Sequence, residues 1–238
     1  MFLNAMVRTV TTNKEGKATG VSYIDKEDNK EYKLKGKVVV LAASACSSAR
    51  ILLNSKSKQH PNGLGNSSDL IGKYLHDSTG GDMMAFIPEL IDRKTYNEDG
   101  VGGMHVYSPW WLDNKKLNFP RGYHIEVWGG MGAPSYGTGF DVNSFNKFFG
   151  LKQAGGYGDV LRSDMKKYYG STIGLSGRGE SIAQKTNYCE IDTNKVDKYG
   201  VPVLRFNYKW TDNEIKQAKH MQDTFEEIIH NMGAIPLW

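Results

Sequence analysis

The sequence predicts a chain of two textures, α/β at its start and α+β beyond. Three observations predict it. A continuous apolar run, Lys37-Val38-Val39-Val40-Leu41-Ala42-Ala43, leads straight into small residues and a helical pattern. Such a run suits a strand covered on both faces, as in a parallel sheet. From about Asp82, short β-type pieces alternate with long Gly-, Asn- and aromatic-rich connections, the pattern of an antiparallel sheet with elaborate loops. Last, Thr211-Asp212-Asn213-Glu214 opens a segment with helical periodicity.

Taken in order, residues 2–43 read as a β-meander feeding the apolar run. Phe2, Val7 and Val10 start the first strand, and Asn13-Lys14-Glu15-Gly16 is a turn. Ala18–Ile24 is a second strand, and Glu27-Asp28-Asn29 a second turn. Tyr32 and Leu34 alternate with lysines in a third, half-exposed strand. After the apolar run, Ser47 or Ser48 is placed to cap a helix carrying Ala49, Ile51, Leu52 and Leu53. Strand, small-residue turn and capped helix make a βα unit, and ligands of doubly wound folds sit at the carboxyl ends of such strands. Residues 56–72 are rich in turns. A boundary near residue 82 separates residues 1–82 from a second region, 83–210, with strands expected at Met83–Ile87, Met104–Tyr107, Tyr123–Val127, Thr186–Ile191 and Val203–Tyr208. In residues 211–238, Thr211 and Glu214 form a capping box. Ile215, Ala218, Met221, Thr224, Phe225, Ile228 and Ile229 then follow the 3.6-residue period.

Composition narrows the function classes. The formal charge is +4, with 30 basic residues dispersed among 26 acidic ones; a nucleic-acid binder concentrates its basic groups on one stripe, so nucleic acid is not expected as a partner. The two cysteines, Cys46 and Cys189, and the six histidines lack metal-ligand spacing, and no metal site is expected. No apolar run approaches the roughly 20 residues of a membrane-spanning helix. The N-terminus lacks the basic start and long apolar stretch of a signal peptide. It reads as mid-domain strand, with an upstream portion expected.

Val39–Asp77 resembles a signature of the glucose–methanol–choline (GMC) oxidoreductases. That pattern has a small pair after a buried strand, then a hydroxyl residue and usually Pro, then an aliphatic helix ending in Ser-Gly. Ser44-Ala45 supplies the small pair, Ser48 the hydroxyl, Leu52 the aliphatic and Ser55 the terminal serine; Ala49 and Lys56 depart from it, as in the bacterial sugar- and polyol-dehydrogenase branch. Gly63–Asp77 resembles the family's next segment, with Asp77-Ser78 where many relatives have Asp-His. Ala18-Thr19-Gly20-Val21 and Asn187–Val203 are weaker echoes.

The resemblance implies an FAD-dependent dehydrogenase acting on a CH–OH group of a sugar, polyol or other alcohol. It implies that 1–82 is part of an FAD/NAD(P)-binding Rossmann-like domain, 83–210 an antiparallel-sheet substrate domain, and 211–238 a helix leading to a C-terminal catalytic segment. Small side chains at Ala42, Ala43 and Ser44, with Ser48, would let backbone approach the adenosine–pyrophosphate part of FAD. The strand at Ala5-Met6-Val7 matches one whose main chain meets the adenine, which makes Val7 a candidate, though an ordinary strand residue is an equal reading. No GxGxxG occurs, since Gly177-Arg178-Gly179-Glu180 lacks the third glycine. The family places that loop upstream and its catalytic His pair beyond Trp238, so no catalytic residue is expected within the chain. Alone, the chain is expected to retain little flavin and to oxidise no alcohol.

Other candidates have plainer readings. His76 and Asp77 are adjacent and point apart on extended chain. His105 and His124 read as sheet residues, since a general base needs an orienting partner. Trp110, Trp111 and Trp128, with Tyr107 and Tyr123, suit either packing or stacking on a sugar ring. Two alternatives follow: a non-catalytic carbohydrate-binding module using residues 103–140, and an NAD-dependent enzyme, weakened by the missing Gly-rich loop. Electron acceptor and compartment, cytoplasmic or periplasmic, are not specified by these residues.

Overall fold

The computed structural model describes residues 2–93, 106–109, 117–129 and 158–237. They form two compact units, Met1–His76 with Ile182–Lys209, and Asp77–Ser181 with Trp210–Trp238. Both divide the chain differently from the expected boundary at residue 82. The Asn187–Val203 hairpin region belongs to the first unit, and the C-terminal helix belongs to the second.

In the first unit, strands β1 (Ala5–Thr12), β2 (Ala18–Asp25) and β3 (Glu31–Lys35) form the expected antiparallel meander. Hydroxyl pairs link β1 to β2, Thr9 Oγ1 to Ser22 Oγ at 2.8 Å and Thr11 Oγ1 to Thr19 Oγ1 at 3.0 Å. Such cross-strand pairs are the unit of sheet stabilisation. Helix α1 (Ala45–Asn54) buries Ile51 and Leu53. Its C-terminal end is tied to β1, because the Val10 N–H donates to Ser55 Oγ at 2.8 Å.

The expected buried parallel strand at 37–43 is not formed. Those residues belong to no strand, and Val38 and Val40 are 79% and 81% exposed. A continuous apolar run becomes a buried strand only where neighbouring strands offer edges on both sides, and every strand pairing among the described residues is antiparallel. The helix also begins earlier than a Ser47 or Ser48 cap implies. Ser44 is the N-cap residue, and its side chain makes no capping bond.

The rest of the first unit is the hairpin of β8 (Tyr188–Val196) and β9 (Pro202–Asn207). Backbone bonds join it to the segment before His76: Cys189 N–H to Gly72 O at 2.7 Å and Leu75 N–H to Asn187 O at 2.9 Å. Asn66, itself buried, organises the preceding loop by donating to Asn62 O and accepting from the Ile71 N–H, each at 3.0 Å.

The second unit is built on a five-stranded antiparallel sheet of order β10-β4-β7-β6-β5. Its strands are β4 (Thr79–Phe86), β5 (Val106–Pro109), β6 (Tyr123–Gly129), β7 (Thr172–Gly179) and β10 (Ile235–Pro236). The strand at β7 and helix α2 (Gly158–Tyr168) are not anticipated by the sequence reading. Helix α3 (Asp212–Asn231) covers one sheet face, and the expected capping box at Thr211 and Glu214 is present. Met221, Phe225 and Ile229 pack with Met83, Ala85, Ile125 and Leu175 as the core. The helix rotates slightly from the expected stripe: Glu214 and Gln217 are buried while Ile215 is 53% exposed. Among the described residues, no helix is long and apolar enough to cross a membrane.

Candidate functional site

Two regions combine chemistry with accessible surface, one in each unit. In the first unit, Ala42, Ala43 and Ser44 turn the chain into α1. Ala42 and Ser44 are exposed and Ala43 is half-buried, so among the described residues no side chain covers the corner. Ser44 has φ 66° and ψ 167°, a backbone region that L residues rarely enter and that marks a held conformation. Ser48 does not cap the helix. Its Oγ accepts from the Ala43 N–H at 3.3 Å, which fixes the corner from inside. No acidic residue lies in the first turn, so the partial positive charge of the helix start is not offset locally. Val7 lies on β1, which packs against α1, next to a break in strand register between Val7 and Thr9.

The same helix is clamped at its other face. Arg50 Nε donates to Pro202 O at 2.7 Å, and Arg50 Nη2 donates to Val201 O and Asp197 Oδ2, each at 2.8 Å. Asn54 adds a bond to Pro202 O at 3.2 Å. Burial pushes the Asp197 carboxyl up, but Arg50 and the N–H groups of Val201 and Tyr199 outweigh it and hold the group below its ordinary value. A charge-assisted, multidentate arginine of this kind fixes orientation as well as adding energy.

In the second unit, strand alternation puts two sets of residues on opposite faces of the sheet. One set packs on α3. The register places the other set in rows: Met84, Gly174 and Trp128; Asp82, Ser176 and Glu126; Gly80, Arg178 and His124. Trp128 Nε1 donates to Ser176 Oγ at 3.3 Å, and Ser176 Oγ donates to Asp82 Oδ1 at 2.5 Å. Arg178 Nη1 lies 3.8 Å from the same carboxylate. His124 Nε2 is 2.9 Å from Glu126 Oε1, and its ring meets that of Tyr107 edge to face at 5.4 Å.

His124 thus has an orienting carboxylate, although the sequence reads it as a plain sheet residue. Tyr123 faces the core instead. Its hydroxyl lies 2.8 Å from His220 Nδ1 and 3.0 Å from Thr224 Oγ1, and burial pushes its phenol up, keeping it neutral. His76 and Asp77 make separate local bonds, to Tyr74 O and the Ser78 N–H. His105, Trp110 and Trp111, and most of the aromatic stretch 103–140, lie outside the described residues. Sequence reasoning missed Asp82 and Ser176; the signal is the alternation of Gly, Ser and Arg along β7, legible only once that segment is recognised as a strand.

The GMC oxidoreductase family matches residues 1–79, which contain the meander, the Ala42–Ser48 corner and α1. The chain is 28% identical over 233 residues to 2-methyl-1,2-propanediol dehydrogenase of Mycolicibacterium austroafricanum, covering 98% of this chain and 40% of that protein. It is 25% identical over 230 residues to the gluconate 2-dehydrogenase flavoprotein of Pantoea cypripedii, covering 96% of this chain and 35% of that protein. Over 77 residues it is 31% identical to the fructose dehydrogenase large subunit of Gluconobacter japonicus, 32% of this chain and 14% of the relative. The chain spans about two fifths or less of the length of these relatives. With its corner and first helix inside the segment that matches the GMC oxidoreductase family, and with two dehydrogenases aligned along nearly its whole length, the chain is similar to the GMC oxidoreductases.

Proposed function

We propose that this chain is part of an FAD-dependent oxidoreductase that takes hydride from a CH–OH group of a sugar, polyol or other alcohol. The observation that carries the reading is the family match over residues 1–79, which contains the open corner at the start of α1. In this reading the first unit contributes to a Rossmann-like FAD-binding domain and the sheet of the second unit serves the substrate.

The corner fits an FAD phosphate or ribose on its own chemistry. Ala42 and Ser44 leave space for close approach, no side chain caps the helix start, and no first-turn carboxylate would repel an anion. A helix N-terminus in that state is favourable to a pyrophosphate. Ser48 holds the corner through the Ala43 N–H, and the main chain at Val7 is the candidate contact for the adenine. FAD supplies the redox chemistry by accepting hydride, while the protein binds and orients. No side chain of this chain is assigned as the base. The alternative of a carbohydrate-binding module has less support, because the relatives matched along nearly the whole chain are named as dehydrogenases.

The test is flavin content. In the whole protein that carries this chain, Ala42→Leu and Ser44→Asp fill or charge the corner and are expected to lower the flavin retained per polypeptide, read by absorbance after gel filtration. Dye-linked oxidation of alcohols should fall in parallel and return when FAD is added in excess. Unchanged flavin content in both variants would remove the corner from the cofactor site.

A further inference from the structure

Trp128 is held in an unusual way for a half-buried tryptophan. Its indole lies flat across β7 at Gly174: a Cβ built there would sit 2.1 Å from Cε2 and 2.3 Å from Cζ2 of the ring. The indole nitrogen is then fixed by a directional relay, Trp128 Nε1 to Ser176 Oγ and Ser176 Oγ to Asp82 Oδ1. Ser176 is buried, so its hydroxyl is committed to these two partners, while Asp82 and Arg178 remain 50% and 42% exposed beside it. One ring face is occupied by the strand, and the other points away from it. The core under α3 lies on the opposite sheet face. On this face the indole shares its row with the buried Met84, and Phe86 packs beside Tyr168, but apolar packing needs no polar relay to fix the indole nitrogen.

We propose that Trp128 is a stacking platform for the ring form of a hydroxylated substrate, such as a pyranose, furanose or cyclitol. Ser176 and Asp82 are positioning residues that hold the indole flat. The chemistry matches on both sides. A sugar ring presents an apolar C–H face that an aromatic ring covers, and a rim of hydroxyls that carboxylate and guanidinium groups bind. Trp128 offers the first surface; the Asp82 carboxylate and the Arg178 guanidinium, within the next two rows of the register, offer the second. A short acyclic alcohol has no such face to lay on the indole. The choice of ligand rests on the alcohol- or sugar-oxidising reading above, whereas the platform itself rests on the second unit alone.

The experiment separates the two. The whole protein is titrated calorimetrically with D-glucose, D-fructose and myo-inositol, and with glycerol as the acyclic control, and KM and kcat are measured on the same compounds with a dye acceptor. Trp128→Ala is expected to weaken binding of the preferred ring compound about tenfold, the scale of one aromatic contact, with glycerol changed less than about twofold. Trp128→Phe retains a ring and should stay within about threefold of the parent. Ser176→Ala and Gly174→Ala, which release or displace the indole without removing it, should raise KM for the ring about threefold at unchanged kcat, and Ser176→Thr should restore it. Binding of none of the three ring compounds, or equal losses for ring and glycerol in Trp128→Ala, would overturn the platform. Ring binding that shows this pattern without any turnover would uphold the platform and count against the redox reading; turnover without the pattern would do the reverse.

Discussion

The two units solve the same problem, holding a helix against β structure, by different means. In the second, α3 lies on a five-stranded sheet through Met221, Phe225 and Ile229, and the contact is apolar and tight. In the first, α1 buries only Ile51 and Leu53, and polar clasps do much of the fastening: Arg50 to Asp197, Val201 and Pro202, and the Val10 N–H to Ser55. The most apolar run in the chain belongs to the first unit and stands largely exposed, while the glycine-rich run Thr172–Gly179 forms the middle of the second unit's sheet. Apolarity and burial are therefore not the same information. A strand's glycines can record how closely its neighbours approach, and an apolar run needs partners before it is buried.

The largest expected effect follows from that reading of β7. A Cβ at Gly177 would lie 2.5 Å from Met221 Sδ and 2.9 Å from its Cγ, with Phe225 Cζ at 3.2 Å. Gly177→Val should destabilise the second unit by about 1–3 kcal/mol, the usual scale of overpacking, read as a lower denaturation midpoint. Met221→Ala in the same chain removes the obstructing sulfur and should recover part of the loss, giving a non-additive double-mutant cycle. Strict additivity, or no loss in Gly177→Val, would mean that the glycine answers to the backbone and not to α3.

The clasp in the first unit predicts a smaller and pH-dependent effect. The side chains of Arg50 and Asp197 are each 20% exposed, and removing one partner leaves the other's polar groups poorly satisfied. Arg50→Met should cost about 1–2 kcal/mol at neutral pH. Asp197 is held below its ordinary value of 3.8, so its stabilising contribution is present above that value and is lost as pH falls through the lower, folded-state value. The parent should lose this increment on acidification below pH 3.8, and Arg50→Met should lose less of it. Parallel pH profiles for the two proteins would show that the ion pair is not what anchors the hairpin.

How much of this was legible follows physical lines. The meander, α1 and α3 are local: turn residues, a capping box and a 3.6-residue period are written within a few positions of each other, and the structure agrees with them. The relay from Trp128 through Ser176 to Asp82 joins three strands, two of its members 94 positions apart. No spacing rule reaches that far, because it depends on register. Strand β7 was hidden for a related reason. Its glycines at 174, 177 and 179 lower strand propensity, and the neighbours that explain them, Trp128, Met221 and Gln217, lie elsewhere in the sequence. The corner was legible as small residues before a helix, but not the positive φ of Ser44 or the role of Ser48 in receiving the Ala43 N–H.

The smallest expected effect tests the exposed run directly. If Val38 and Val40 were core residues, replacing either with serine would cost several kcal/mol, through lost apolar burial and an added buried hydroxyl. At 79% and 81% exposure they have little burial to lose. Val38→Ser with Val40→Ser, made in this 238-residue chain, should therefore change its stability by no more than about 0.5 kcal/mol. Solubility should improve, because two exposed apolar side chains close together in the chain favour association with other chains. A marked drop in the denaturation midpoint would show that the run is packed in solution, and the contrast between the two units would then narrow to a difference in strand partners alone.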